Sequence, residues 1–209
     1  MKSLVMCILV LAVAFVPVEA TVIHTVSFDD PAGMFAPFYG PIGASLLTAG
    51  REWSQALAGS GIIDVVVGFD PGIPTAASAS TTSQLVGTAG SLGVFELGAA
   101  SEIRTGVDPN GAAPDARITI GTAYLKDELF FGPGIMPTDK IDATSVFLHE
   151  LGHIYAFNGF LNSTTGERNR SFISTFDQHV RFDGTNFFFT GAAATALYKG
   201  DVPLTFGNY

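Results

Sequence analysis

Alternating and helical apolar patterns follow one another early in the chain. Residues 21–28 alternate apolar and polar positions and are rich in β-branched side chains, which predicts a strand. Residues 43–60 instead carry apolar side chains such as Leu46 and Trp53 at helical spacing, and we expect this helix to end at a glycine just beyond. The apolar run 62–69 predicts a buried strand. A strand, a helix and a strand in this order indicate a βαβ start and an α/β or α+β sheet.

The middle of the chain has a weaker pattern. Residues 71–106 are rich in glycine, alanine, serine and threonine and contain short apolar islands such as 93–97. We expect short strands and loops over the sheet here rather than a helix. Residues 117–125 predict a further strand, and a glycine- and proline-rich connector follows it.

Residues 138–159 have the pattern of a helix of about five turns. Thr138, Asp139 and Asp142 are candidate N-cap residues, because their short side chains can accept hydrogen bonds from the first turn. Proline is absent from the interior, and an asparagine followed by Gly159 is a stop signal. After this helix the sequence predicts a short C-terminal lobe: a strand over 186–191, an alanine-rich short helix and a closing loop.

The first twenty residues have the three-part pattern of a secretory signal peptide. Lys2 supplies the positive charge, residues 4–16 form an apolar run, and small residues before and at Ala20 suit cleavage. The apolar run is too short to span a bilayer. We therefore expect residues 1–20 to be removed and residues 21–209 to form one exported domain, secreted to the extracellular space or the periplasm, with no stable membrane span.

Composition and charge narrow the function classes. The chain has 209 residues, and its 47% hydrophobic content is enough for a packed core, which argues against a disordered polymer. The net charge of -9 argues against a nucleic-acid partner, because such proteins need clustered lysine and arginine. The single cysteine, Cys7, lies in the predicted signal peptide. A metal in the mature chain must therefore be held by His, Asp or Glu.

The predicted helix 138–159 contains the sequence His149-Glu150-Leu151-Gly152-His153. Four residues rotate a helix by about 400°, so His149 and His153 project from one face and can both reach one zinc ion at roughly 2.0–2.1 Å. Glu150 follows the first histidine and can act as a general base on water without binding the metal. Two of the chain's four histidines lie in this one turn, and a chance match on a capped helix is rare.

This segment resembles the active-site helix of the zincin metallopeptidases. The export signal and the strand-helix-strand opening are similar to those of secreted bacterial enzymes related to the metzincins and the leishmanolysin-like group. The resemblance implies an α+β zincin-like fold, with a mixed twisted sheet, a backing helix and an active-site helix that carries HExxH. It also implies one catalytic Zn2+, with His149 and His153 as ligands and Glu150 as the catalytic base.

The third zinc ligand is the point at which the sequence departs from the metzincin pattern. The extended motif HExxHxxGxxH would place glycine at 156 and histidine at 159, but Ala156 and Gly159 stand there. His179 is the only later histidine; a structural role for it is favoured over a ligand role. Glu167 is a weaker candidate, in a polar stretch that predicts a loop.

Completeness of the chain is a related question. A metzincin has a methionine turn beneath the zinc, yet no methionine follows the helix. We therefore expect the chain to be C-terminally truncated, with its third ligand beyond Tyr209. A leishmanolysin-like arrangement with a long insertion, or a thermolysin-like glutamate on a later helix, remains open.

The sequence thus predicts a secreted zinc endopeptidase that acts on protein or peptide substrates. An extended substrate would add as a strand along the sheet edge, for which 117–125 is the candidate. The alternative is a catalytically inactive or incomplete zincin-like exported binding module.

Residues 108–111, Asp-Pro-Asn-Gly, have the composition of a turn. A calcium loop formed by Asp108, Asn110 and Asp115 is conceivable, because all three offer side-chain oxygens. A solvated turn explains the same residues and is the favoured interpretation.

Overall fold

The computed structural model describes residues 21–168 and 171–204; the predicted signal peptide lies outside them. Within these ranges the chain forms five α-helices: α1 (Ala36–Ala56), α2 (Gly98–Thr105), α3 (Thr122–Asp127), α4 (Ala143–Ile154) and α5 (Ala192–Tyr198). The strands are β1 (Val22–Asp29), β2 (Gly61–Asp70), β3 (Ala76–Ser80), β4 (Ser83–Ala89), β5 (Leu92–Leu97), β6 (Ala116–Gly121), β7 (Leu129–Phe130), β8 (Ile141–Asp142), β9 (Phe172–Ser174), β10 (Val180–Phe182), β11 (Phe187–Phe189) and β12 (Val202–Leu204). The α+β class is confirmed.

The main sheet has four strands in the order β1-β2-β6-β3. β1 pairs in parallel with β2 and β2 in parallel with β6, whereas β3 runs antiparallel to β6 at the sheet edge. The βαβ start predicted from the sequence is confirmed, because α1 connects the parallel strands β1 and β2.

The core lies between this sheet and the helices α1 and α4. The valine and isoleucine side chains that β2 and β6 direct into the core are fully buried, and each of them stabilises the fold by roughly 1.5–3 kcal/mol. The buried residues that the two helices contribute are Ile42, Leu46 and Ala49 from α1, and Phe147, Leu151 and Ile154 from α4. Burial of both helices on one core holds α4 against the sheet.

Helix α1 begins at Ala36, earlier than predicted, and ends at Ala56. Its first turns contain two prolines and a glycine, and the helical spacing of apolar residues in the sequence starts only after them, at residue 43. Pro37 lies in the first turn, where proline is tolerated because the amide at that position has no partner within the helix. Pro41 lies inside the helix, where it removes one backbone hydrogen bond. The sequence predicted that Gly61 would end this helix, but Gly61 instead opens β2.

The prediction of a strand over 117–125 is wrong at its C-terminal end. The prediction that this strand is the edge to which a substrate adds is also wrong. β6 stops at Gly121, and the following residues form α3. β6 also pairs on both sides, with β2 and with β3, so its backbone groups are not free for a substrate. The two edge strands of the main sheet are β1 and β3. Of these, β3 is the one that lies beside α4, and its alanine- and serine-rich sequence has little apolar contrast.

The segment 71–106 contains strands β3, β4 and β5, as expected, but it also contains the short helix α2, which was not expected. α2 begins with glycine and contains one large apolar side chain, Ile103, so no helical apolar spacing marks it in the sequence. Its C-cap is Gly106, whose φ of 69° is left-handed and favours glycine.

The chain after α4 forms the predicted C-terminal lobe. β9 pairs in parallel with β5, so this part is joined to the preceding chain, and β10, β11 and β12 form an antiparallel sheet. β11 and α5 correspond to the predicted strand and alanine-rich helix. The expected closing loop instead starts as strand β12. No helix in the described ranges combines the length and the apolar character that a membrane crossing requires.

Candidate metal centre

Helix α4 is shorter than the predicted helix 138–159 because its N-cap lies at Asp142. The Asp142 carboxylate accepts hydrogen bonds from the backbone amide and the hydroxyl of Ser145, at 2.7 and 2.9 Å. Of the three candidate caps, only Asp142 therefore occupies the capping position. The chain leaves the helix at Tyr155, and Ala156 has a φ of 70°. This left-handed turn lies where the metzincin motif has a glycine.

His149 and His153 project together from α4, as their spacing predicts. Their Nε2 atoms are 3.0 Å apart. Two nitrogens that bind one tetrahedral zinc lie roughly 3.3–3.4 Å apart, so a small side-chain adjustment is sufficient for both to bind one ion.

The His153 ring is oriented by the backbone. Its Nδ1 lies 3.2 Å from the carbonyl oxygen of Phe157, which can only accept a hydrogen bond. With the proton on Nδ1, Nε2 presents its lone pair towards His149. This carbonyl contact is the kind of support that fixes the tautomer of a metal-binding histidine.

Glu150 lies beside the two histidines and is 5% exposed. Its Oε2 is buried and has no hydrogen-bond partner. The backbone carbonyl of Glu150 accepts a hydrogen bond from the Ser78 hydroxyl at 3.0 Å, which connects α4 to the edge strand β3. A buried carboxylate oxygen without a partner is costly, and a water molecule or a substrate group could satisfy it.

A cavity of about 540 Å³ contains these three side chains. Residues 75–78 of the β3 region form one wall and α4 forms the floor. The C-terminal lobe supplies a further wall, which includes Val180 and Phe187. The cavity therefore lies between the free sheet edge and the HExxH face of α4.

Trp53 of α1 positions α4 from the other side. Its indole Nε1 donates a hydrogen bond to the Leu148 carbonyl at 2.9 Å. Its ring also packs against Gly152, where a β-carbon would lie 3.3 Å from the indole. The mid-helix glycine thus permits a close approach between helices.

His24 packs against α1 and Tyr155 and does not line the cavity. Its Nε2 is hydrogen-bonded to the Tyr155 hydroxyl, and its ring lies against Gly50 of α1. Burial lowers the pKa of His24 to about 4, so the imidazole is neutral at physiological pH. Burial also raises the pKa of Tyr155, which keeps its proton.

Neither proposed third ligand lies with the histidine pair. His179 is exposed and packs edge-on against the Phe189 ring, with ring centres 5.6 Å apart. Glu167 is exposed and does not line the cavity. Within residues 21–168 and 171–204, no His, Cys, Asp or Glu places a ligand atom within 4.8 Å of both Nε2 atoms.

Asp177 is a cavity residue to which the sequence assigned no role. It is fully buried; its Oδ2 accepts hydrogen bonds from the amides of Phe160 and Ser174, each at 2.9 Å, and its Oδ1 has no partner. A β-carbon at Gly159 would lie 2.2 Å from this Oδ1. The carboxylate thus takes the space beside position 159, where the metzincin motif has its third histidine. The only sequence signal was Ser174, three residues earlier, whose hydroxyl oxygen accepts a hydrogen bond from the Asp177 amide.

Comparisons with protein families, with curated proteins and with solved structures find no significant match to this chain. The functional argument therefore depends on the residues and geometry of the site.

Proposed function

We propose that this chain is a secreted zinc-dependent endopeptidase with a zincin-type site. The observation that carries the proposal is the pair of Nε2 atoms 3.0 Å apart, beside a buried glutamate oxygen without a partner, in one cavity. The finer fold assignment is supported by the HExxH helix beneath an antiparallel edge strand. Export is inferred from the signal pattern of residues 1–20 alone.

The donor set fits zinc. His149 and His153 offer two imidazole nitrogens, and the chemistry of nitrogen donors favours zinc over calcium or magnesium. The Phe157 carbonyl keeps His153 in the tautomer that can bind a metal. A bound zinc would polarise a substrate carbonyl and acidify water at the site.

Glu150 is the proposed general base. Its Oε2 has no protein partner, so it is available to accept a proton from the attacking water. The same carboxyl then returns that proton to the leaving amine as the peptide bond breaks. The Ser78 hydroxyl holds the backbone of Glu150 and thereby positions this side chain relative to the edge strand.

An extended substrate would dock along β3. This strand is the edge strand of the main sheet that borders the cavity, and residues 75–78 line the cavity with His149 and Glu150. A peptide added to this edge gains main-chain hydrogen bonds and runs past the histidine pair. Proteins and peptides are therefore the substrate class that the geometry favours.

The second candidate function is a zincin-like binding module without activity. It is favoured by the lack of a third protein ligand near the histidine pair within the described ranges. Two imidazoles alone hold zinc weakly, because structural and catalytic sites normally have three or four protein ligands.

Metal analysis joined to a cleavage assay tests the proposal. The mature protein should contain about one zinc per chain and cleave casein or a peptide library. Glu150→Gln should retain the zinc and lose at least about 100-fold in kcat/KM, because general-base catalysis contributes about 10²–10⁴-fold. Glu128→Gln is the matched control, since Glu128 is exposed and lies outside the cavity.

The outcomes separate the two candidates. Zinc without cleavage in the wild type supports the inactive module. Unchanged cleavage by Glu150→Gln refutes the role of Glu150, and a protein that binds no zinc refutes both functions.

A further inference from the structure

Three carboxylates meet near the start of β2, away from the cavity. Glu102 comes from α2, and Asp108 and Asp115 come from the loop between α2 and β6. One oxygen of each lies within 4.8 Å of the others. From the sequence, a calcium loop of Asp108, Asn110 and Asp115 was conceivable but a solvated turn was favoured, and Glu102 was not considered because helix α2 was not predicted.

Two of these carboxylates are buried and only half satisfied. Glu102 is 4% exposed and Asp115 is 2% exposed. The Glu102 Oε1 accepts a hydrogen bond from the Ile62 amide and the Asp115 Oδ2 accepts one from the Asp64 amide, each at 2.8 Å. Their other oxygens, Oε2 and Oδ1, are buried and have no partner.

No basic side chain in the described ranges forms an ion pair with any of the three carboxylates. Burying like charges together without compensation is costly. Burial and the nearby Asp115 raise the pKa of Glu102 to about 7. Either a cation or a proton shared between Glu102 and Asp115 would relieve the repulsion.

We propose that Glu102, Asp108 and Asp115 bind a divalent cation of the calcium class. All the donors are oxygens, which hard cations prefer. Calcium binds oxygens at roughly 2.3–2.6 Å, so ligands on opposite sides of the ion lie roughly 4.6–5.2 Å apart. Three oxygens within 4.8 Å of one another can therefore all contact one such ion.

A cation shared by these residues would connect α2 to β2 and to the loop before β6. Both buried carboxylates already accept hydrogen bonds from β2 amides, so the ion would complete a junction that exists in part. None of the three residues lines the zinc cavity, and the triad offers no nitrogen ligand. The two metal proposals can therefore fail independently.

Calcium titration of the mature protein, stripped of metal and then saturated with zinc, tests the proposal. Calorimetry should give about one calcium per chain. Calcium at about 100 times Kd should raise Tm by about 5–10 °C.

Amide variants preserve the local hydrogen bonds and remove charge. Asp108→Asn keeps the acceptor for the amides of Asn110 and Gly111 and should weaken calcium binding about 10-fold or more. Glu102→Gln should abolish the Tm response to calcium, and its metal-free Tm should equal or exceed that of the wild type, which shows that the variant folds. Asp127→Asn, at an exposed acid, should respond as the wild type does.

The proposal is overturned if calcium neither binds nor changes the wild-type Tm, or if Asp108→Asn and Glu102→Gln respond like the wild type. A calcium-independent Tm that falls as the pH rises from about 4.5 to about 7 and then levels off would assign the triad to a shared proton instead, because over this range the folded Glu102 keeps a proton that the unfolded chain loses. A response to added zinc but not to calcium would also overturn it.

Discussion

Acidification should destabilise this protein through His24. The imidazole lies between β1 and α1, with its Nε2 hydrogen-bonded to the Tyr155 hydroxyl just after α4. Burial lowers the pKa of His24 from 6.5 to about 4. Protonation is therefore harder in the folded state than in the unfolded chain.

The size of the effect follows from the two pKa values. At about 1.4 kcal/mol per pKa unit, the difference between 6.5 and about 4 gives an upper limit of roughly 3 kcal/mol. His24 is only partly buried, so screening by solvent reduces this to roughly 2 kcal/mol. The contribution is fully present above about pH 6.5 and is lost progressively as the pH falls to about 4.

Urea unfolding at several pH values between about 7.5 and 4 measures this effect. Trp53 is the only tryptophan, and its contact with Tyr155 makes its fluorescence a probe of the packing of α1 against α4. His24→Gln is the comparison protein, because Gln does not titrate. Other groups, such as Asp183, whose pKa is lowered by hydrogen bonds from the Asn186 and Thr185 amides, affect both proteins alike.

The free energy of unfolding of the wild type should fall by about 2 kcal/mol more than that of His24→Gln over this pH range. Tyr155→Phe should keep the extra loss, because burial rather than the hydroxyl lowers the pKa of His24. Parallel pH profiles for the wild type and His24→Gln would refute the reasoning.

Two further predictions concern the helices, and thermal unfolding checks both. Gly50→Ala should destabilise the protein by about 1–2 kcal/mol, because the new β-carbon would lie 2.6 Å from the His24 ring. Gly43→Ala in the same helix, where the space is open, should stabilise it by up to about 1 kcal/mol; equal effects at the two glycines would contradict this packing. Asp142→Ala should cost about 1 kcal/mol through loss of the N-cap of α4. Asp139→Ala, at an exposed residue outside the helix, should leave Tm unchanged. A larger decrease in Tm for Asp139→Ala than for Asp142→Ala would show that Asp142 is not the N-cap.

The start of the fold was predictable because its signals are local. The alternation in β1 and the apolar run of β2 both reflect burial on the main sheet, and the helical spacing between them reflects the packing of α1. The start of α1 was not predictable, because its first turns contain two prolines and a glycine, which are poor helix formers. Helix α2 was missed because its eight residues contain one large apolar side chain, which gives no apolar periodicity.

The candidate site likewise has features that follow from local sequence and features that depend on tertiary structure. The pairing of His149 with His153 and the position of Glu150 follow from helical geometry within five residues. The burial of Asp177 against Gly159 brings together residues on different elements, and no periodicity within either segment indicates it. The same is true of Glu102, which meets Asp115 only because α2 packs beside β2.

Sequence alone was therefore enough for the βαβ opening, the two histidines and the glutamate, because each depends on a repeat of a few residues along the chain. Tertiary structure decided that β3 rather than β6 is the edge strand beside the cavity, that His24 and Trp53 hold the helices around the HExxH segment, and that Asp177 lines the cavity. These features depend on the order of strands and the packing of distant side chains, and that order is set by the total burial of the core rather than by any one segment.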